Sequence, residues 1–147
     1  MATTENTLLN LFNQALQKHQ NGQISEAIER YLELLQHAST PENLLYLLGT
    51  AYGQLGQYEK ALEFLEKALQ HQPNHPSIYN NLGNVLSELN RHDEALWHYE
   101  QAAKLNPDFA DAHNNLGNTL RKLNRTSEAL SHYNQALTLR PDYVDAF

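Results

Sequence analysis

Asparagine is the residue type whose spacing points most directly to binding chemistry in this chain. The segment NNLGN occurs twice, at residues 80–84 and 114–118. Within each copy the last asparagine follows the two adjacent ones by three and four residues, which places all three on one side of a helix. An asparagine amide offers an acceptor oxygen and an NH₂ group with two donors, which can pair with the N–H and the C=O of a peptide group. We therefore expect these six side chains to bind a peptide backbone: Asn80, Asn81, Asn84, Asn114, Asn115 and Asn118.

The same face continues toward the end of each helix with other polar residues. In the first copy these are Ser87 and Glu88, and in the second copy Arg121 and Lys122. The two basic side chains could meet an acidic segment of a ligand. The alternative, a solvated end of a helix, is favoured.

The histidines, glycines and serines of the chain show no pattern typical of catalysis or metal binding. His71 and His75 have a spacing of four, but Pro73 between them breaks a helix, so they do not share a face. His98 and His132 recur one repeat apart and are expected to stack as neighbours, in a structural or surface role. No phosphate-binding glycine loop and no Ser-His-Asp arrangement is found. The sequence predicts no catalytic site, no metal and no cofactor, so the chain is not expected to be an enzyme.

These residues lie in a 34-residue period. Residues 76–109 are repeated at 110–143 with 19 of 34 positions identical and without a gap. Earlier copies occupy about 8–41 and 42–75, residues before about 7 are expected to be frayed, and 144–147 begin a fifth copy. Such a period is typical of stacked helical repeats. The chain is therefore predicted to be a single all-α domain over residues 1–147.

Each copy reads as helix–turn–helix. Glycine or asparagine recurs where the first helix must end, since both tolerate the left-handed conformation. Proline recurs where the second helix ends. A glycine inside the first helix is expected to face an alanine of the second. The turn positions are Gly22, Gly56, Asn90 and Asn124; the prolines are Pro73, Pro107 and Pro141; the facing pairs are Gly49 with Ala61, Gly83 with Ala95, and Gly117 with Ala129.

These features resemble the tetratricopeptide repeat (TPR) family. The resemblance is carried by NLG at 81–83 and 115–117, LLG at 47–49, Tyr99, Tyr133 and the closing prolines. It implies an α-solenoid, a right-handed superhelix of about four helix pairs plus the start of a fifth, whose first helices line a concave groove. Most members are adaptors that bind peptides or proteins. The first copy departs from the pattern, because it lacks the helix glycine and the closing proline.

Within the family, the asparagines are similar to those lining the groove of O-linked N-acetylglucosamine transferases. That resemblance carries over to Asn81 and Asn115, more weakly to Asn13, and it fails at Leu47. It implies that the asparagines contact substrate or partner peptides. The alternative is that they bond between neighbouring repeats or solvate the surface.

The first half of the groove is predicted to be more apolar. Phe12, Leu16, Tyr46 and Leu47 occupy places that asparagines hold in later copies. One hypothesis is an apolar pocket beside the amide groups, with Tyr46 contacting the ligand. The other, slightly favoured, is that Phe12 and Leu16 belong to the N-terminal core. Trp97, whose counterparts are polar, is expected to be exposed.

Charge and composition limit the partners. The formal charge of -7 argues against nucleic acid and against anionic membrane. The chain has no cysteine, no signal-peptide pattern at its start and no apolar run of membrane-spanning length. A cytoplasmic location is expected.

Three hypotheses about function follow from the sequence. The first is an interaction module that binds an extended peptide or partner protein in the groove. The second is a substrate-recruiting arm of a larger enzyme such as a glycosyltransferase, since the sequence is expected to be a piece of a longer protein. The third is self-assembly through an exposed apolar face of the last repeat around Leu130, Tyr133 and Leu137.

Overall fold

The described residues, 2–142 of the computed structural model, form eight α-helices and no strand. The prediction of an all-α chain is confirmed. Tyr143 and the predicted start of a fifth repeat at 144–147 lie outside the described residues. The helices are α1 Ala2–Gln20, α2 Ile24–Leu35, α3 Glu42–Gln54, α4 Tyr58–His71, α5 Pro76–Glu88, α6 His92–Leu105, α7 Ala110–Lys122 and α8 Thr126–Leu139.

The helices are grouped into two compact units. The first unit contains α1–α4 and the second contains α5–α8. Within each unit, consecutive helices pack against one another and are joined by short connections. The predicted grouping of all residues into one domain stays a prediction.

Helix α1 begins earlier than expected. It starts at Ala2, whereas residues before about 7 were expected to be frayed. Glu5 lies in its first turn, where a carboxylate interacts favourably with the helix dipole. The first helix of the chain is therefore longer than the corresponding helices of the later repeats.

The turns within the helix pairs have the predicted backbone conformation. Gly22, Gly56, Asn90 and Asn124 have φ angles of 80°, 74°, 58° and 62°. The residue after each one donates its N–H to a carbonyl five residues earlier, as Arg91 does to Leu86 at 2.8 Å. This is the Schellman pattern that ends a helix. The prolines follow α4, α6 and α8 by two residues, so their predicted role as helix stops is confirmed.

The contacts of the helix glycines differ from the prediction. A Cβ atom on Gly83 would lie 2.5 Å from a ring carbon of Tyr99, and one on Gly117 would lie 2.5 Å from Tyr133. At Gly49 the nearest side chain is Leu65. The partner is thus the residue one helical turn after the predicted alanine. The side chain of that residue is large enough to contact the glycine, whereas the alanine side chain is shorter.

None of the helices in the described part of the chain is long and apolar enough to cross a bilayer. The cytoplasmic location stays a prediction. Trp97 is 50% exposed, so the prediction of its exposure is confirmed.

Candidate functional site

The asparagine face is the set Asn80, Asn81, Asn84, Asn114, Asn115 and Asn118, and it lies on α5 and α7 of the second unit. The glycines within α5 and α7 determine how these asparagines are held. Because Gly83 has no side chain, the ring of Tyr99 lies directly against α5. The Tyr99 hydroxyl then donates to Asn84 Oδ1 at 2.7 Å. One repeat later, Tyr133 lies against Gly117 and donates to Asn118 Oδ1 at 2.6 Å.

A second set of bonds joins α5 to α7. Asn115 Nδ2 donates to Asn80 Oδ1 at 3.0 Å and to Asn84 Oδ1 at 3.3 Å. Neighbouring repeats are thus linked by side-chain amides as well as by apolar packing. The position and rotation of these amides are fixed before any ligand binds.

The six asparagines are not equally accessible. Asn80 and Asn114 are buried, Asn81, Asn115 and Asn118 are half-buried, and Asn84 is exposed. The bonds between neighbouring repeats that the sequence left open as an alternative are present for Asn80, Asn84 and Asn115. Surface available to a ligand is therefore found on Asn81, Asn84, Asn115 and Asn118.

Asn114 carries an unused acceptor. It is 4% exposed, and its Oδ1 has no hydrogen-bond partner within residues 2–142. The equivalent oxygen of Asn80 accepts from Asn115 of the following repeat. A buried acceptor without a partner costs free energy, so this atom favours a donor from outside the described residues.

The two predicted basic residues lie at the end of the same helix. Arg121 and Lys122 are exposed in the last turn of α7. A positive charge there interacts favourably with the helix dipole.

In the first unit the corresponding positions form a different set of contacts. Thr50 stands where Asn84 does, and its hydroxyl donates to the Tyr46 carbonyl at 2.9 Å. Leu65 stands where Tyr99 does and has no hydroxyl to offer. The bond from a tyrosine hydroxyl to an asparagine is therefore not repeated between Leu65 and Thr50. Tyr46 itself is half-buried on α3, and Asn13 is exposed on α1.

The N-terminal pair uses its tyrosine in another way. Tyr31 hydroxyl lies 3.0 Å from His19 Nδ1, and His19 Nε2 lies 2.6 Å from Gln54 Oε1. Burial raises the pKa of Tyr31 to about 12. Phe12 and Leu16 are only half-buried.

Tyr99 and Tyr133 thus place their hydroxyls on asparagines, and Tyr31 places its hydroxyl on a histidine. Burial, with a smaller effect from Glu88, also raises the pKa of Tyr99. Its hydroxyl therefore remains a hydrogen-bond donor at any physiological pH. This keeps the Asn84 oxygen occupied.

A histidine pair in the second unit was missed by the sequence reasoning. The ring of His132 stacks on that of His113, with the two Nδ1 atoms 3.3 Å apart. His113 Nε2 lies 2.8 Å from the Pro107 carbonyl oxygen and donates to it. The expected stacking of His132 with His98 is wrong, because His98 packs beside Tyr79 and Trp97. Only the contact between α7 and α8 could have shown this pair.

His113 of this pair borders an open cavity of about 450 Å³. Burial and the neighbouring His113 lower the pKa of His132. Among the described residues, no group of three or more His, Cys, Asp or Glu could hold a metal ion. The cavity is lined by Pro107, His113, Ser131, Asn134, Gln135, Thr138 and Leu139.

Several solved structures have a fold similar to that of this chain. MamA from Desulfovibrio magneticus RS-1 aligns with a TM-score of 0.85 at 18% identity, over 93% of this chain and 77% of that one. Another MamA crystal structure aligns at 0.84 and 23% identity, over 99% and 78%. YrrB, described as a TPR protein with an unusual peptide-binding site, aligns at 0.82 and 25% identity, over 92% and 70%. These likenesses confirm the predicted fold class, a TPR-type α-solenoid.

Sequence comparison gives the family. No curated protein matches the sequence. Two family models, both described as tetratricopeptide repeat, match residues 40–108 and 80–144. The chain therefore contains tetratricopeptide repeats over residues 40–144.

Proposed function

We propose that this chain is a protein-interaction module that binds an extended peptide segment of a partner protein on the asparagine face. The contacts come from Asn81, Asn84, Asn115 and Asn118, with Asn80 and Asn114 beneath them. Arg121 and Lys122 would contact the ligand beyond the end of α7. In the first unit, Asn13 and Tyr46 are the proposed contacts.

The observation that carries this proposal is the fixed amide network. Asn115 bonds to both Asn80 and Asn84, while Asn84 and Asn118 each accept a tyrosine hydroxyl. Immobilising a long polar side chain on binding costs about 0.5–1.5 kcal/mol. Side chains that are already held in place avoid most of that cost. The network therefore suits a site that must bind a flexible backbone.

The comparisons support the same class of function. YrrB carries a peptide-binding site by its description, and its 25% identity extends over most of this chain. The finer resemblance to the transferase groove remains part of this proposal, through Asn81 and Asn115. The enzyme-arm hypothesis stays a prediction.

The test begins with selection of binders from a random-sequence peptide library. The best binder is then titrated calorimetrically against the unmodified protein and against Asn115→Ala/Asn118→Ala. Each lost hydrogen bond is worth about 0.5–1.5 kcal/mol, so the double variant should bind about tenfold more weakly. Urea unfolding of both proteins shows that the variant is folded.

The matched control is Asn74→Ala/Asn134→Ala. Both of these asparagines are exposed in the second unit and lie outside the asparagine face. The control should keep full affinity. Equal affinity of all three proteins for the selected peptide would overturn the proposal.

A further inference from the structure

The hydrogen bonds of the asparagine face decide which atoms it can offer to a ligand. Asn84 Oδ1 accepts two bonds, from the Tyr99 hydroxyl and from Asn115 Nδ2. A carbonyl oxygen has two lone pairs, so this oxygen is fully used. The remaining capacity of the exposed Asn84 side chain is its NH₂ group, which has two donors.

Asn118 is oriented in the same sense. Its Oδ1 accepts the Tyr133 hydroxyl at 2.6 Å, and its NH₂ group bonds to no other described residue. Rotating the Asn84 amide by 180° would set its nitrogen against the nitrogen of Asn115, donor against donor. The Asn84 orientation is therefore locked, and Asn118 repeats it on α7.

Asn115 offers a hydrogen-bond acceptor instead of donors. Both hydrogens of its Nδ2 are used, on Asn80 and on Asn84. Its Oδ1 accepts no bond from residues 2–142, so it is available as an acceptor. The accessible face thus offers donors at Asn84 and Asn118, and an acceptor at Asn115.

The spacing of the two donors selects a backbone conformation. Asn84 and Asn118 occupy equivalent positions on α5 and α7, two helices in direct side-chain contact. Helices in contact have axes about 8–10 Å apart. In polyproline II helix, three residues rise about 9 Å and complete one turn, so carbonyls three residues apart point the same way. In a β-strand, carbonyls that point the same way are about 6.7 Å or twice that apart.

We propose that the asparagine face recognises proline-rich segments in the polyproline II conformation. Two ligand carbonyls three residues apart accept from Asn84 and Asn118, and one N–H from a non-proline residue between them donates to Asn115. Proline supplies a carbonyl but no N–H, so a donor-lined site accepts it where an acceptor-lined site would not. This inference rests on the proposed function and gives its ligand a chemical class.

The experiment compares two fluorescein-labelled peptides of equal length by fluorescence polarisation. One is a Pro-Pro-Ala repeat and the other a Gly-Ser-Ala repeat. The proline peptide should bind about tenfold more tightly, because its conformation is already that of the bound state. The Gly-Ser-Ala peptide supplies the same carbonyls without that conformation.

The decisive variant is Asn84→Asp/Asn118→Asp. A carboxylate still accepts the tyrosine hydroxyls, so the packing of Tyr99 and Tyr133 is kept, but it has no N–H to donate. Binding of the proline peptide should fall about tenfold or more. Asn74→Asp/Asn134→Asp adds the same charge in the same unit and should bind as the unmodified protein does.

Three outcomes distinguish the proposed preference for proline-rich peptides from the proposed peptide-binding function. Equal binding of the two peptides, lost in Asn84→Asp/Asn118→Asp, overturns the proline preference and leaves the peptide-binding function standing. Proline-peptide binding that survives in this variant shows that the two NH₂ groups are not used, and it also overturns the inference. Failure of both peptides and of every library peptide to bind overturns the function together with the inference.

Discussion

Gly83 shows how one missing side chain positions the asparagine face. The Tyr99 ring occupies the space where a Cβ would be and brings its hydroxyl to the neighbouring Asn84. Gly117, Tyr133 and Asn118 repeat the arrangement. In the first unit Leu65 replaces the tyrosine, and the asparagine is replaced as well. The tyrosine and the asparagine thus form a structural pair, while Gly49 keeps the glycine with Leu65 packed against it.

At this scale we predict that Gly83→Ala destabilises the protein. Alanine favours the helix by about 1 kcal/mol, but its Cβ would lie 2.5 Å from the Tyr99 ring. Displacing a packed ring costs about 1–3 kcal/mol, and the hydroxyl bond to Asn84 is lost with it. Urea unfolding should therefore show a net loss of about 1–2 kcal/mol, since the steric cost exceeds the gain.

The cause can be isolated with a double-mutant cycle. Tyr99→Ala removes the ring. In that background, Gly83→Ala should lower the free energy of unfolding only slightly, or should raise it. If the changes in unfolding free energy caused by the two substitutions were additive, the contact with the Tyr99 ring would not be the source of the destabilisation.

At the scale of helices, α7 and α8 are joined through the histidine pair. His113 donates from Nε2 to the Pro107 carbonyl, so its Nδ1 is an acceptor in the neutral ring. His132 Nδ1 then supplies the proton between the rings. If both rings were protonated, two cations would lie with their Nδ1 atoms 3.3 Å apart and would repel each other.

We predict that stability falls as the pH drops below about 6.5. The pKa of His132 is lowered in the folded protein, first by burial and then by His113, against smaller raising effects of Gln135 and Glu128. The unfolded chain therefore binds this proton more readily, and protonation favours unfolding. Stability is full above the unfolded pKa and is lost as the pH falls through the folded one. Urea midpoints measured between pH 5 and 8 test this.

The variant His132→Gln should show a shallower pH dependence in that range. His98→Gln is the control, because His98 occupies the matching position on α6 but bonds to the Glu94 carbonyl instead of a second histidine. An unchanged slope in His132→Gln would refute the assignment. The carboxylates act at lower pH: the side chains of Arg91 and Arg125 lower the pKa values of Glu94 and Glu128.

At the scale of the whole molecule, charge and one apolar side chain bear on association. The chain carries a formal charge of -7 at pH 7 and has a sequence pI of about 5.5. Of the three residues predicted to form an apolar face, Leu130 is 57% exposed, while Tyr133 is buried and Leu137 half-buried. The apolar face is therefore smaller than the sequence indicated.

We predict that the protein associates near pH 5.5, where its net charge and self-repulsion vanish, and that Leu130 takes part. Light scattering should show a higher apparent mass at that pH than at pH 8. Leu130→Glu should reduce the increase, whereas Ser131→Glu, the same charge on the next exposed residue, should reduce it less. An apparent mass that does not change with pH would count against this prediction.

The sequence by itself determined the repeat, the eight helices and the turns between them, although not the start of α1 at Ala2. The period of 34 residues is visible without a structure, and the residues that end helices act locally. Asn90 tolerates a positive φ, and Pro107 has no N–H, whatever surrounds them. For that reason the turns and the fold class were predicted correctly, and six asparagines were correctly placed on two helices.

Only the tertiary structure decided what those asparagines can do. Asn115 meets Asn80 across 35 positions of the chain, and Tyr99 reaches Asn84 from another helix. Such bonds depend on which helices pack together and how closely, and no local preference encodes that. The burial of Asn114, the pairing of His113 with His132 and the outward NH₂ groups of Asn84 and Asn118 follow from packing alone. The sequence placed amides on a face, and packing fixed which of their atoms a ligand can meet.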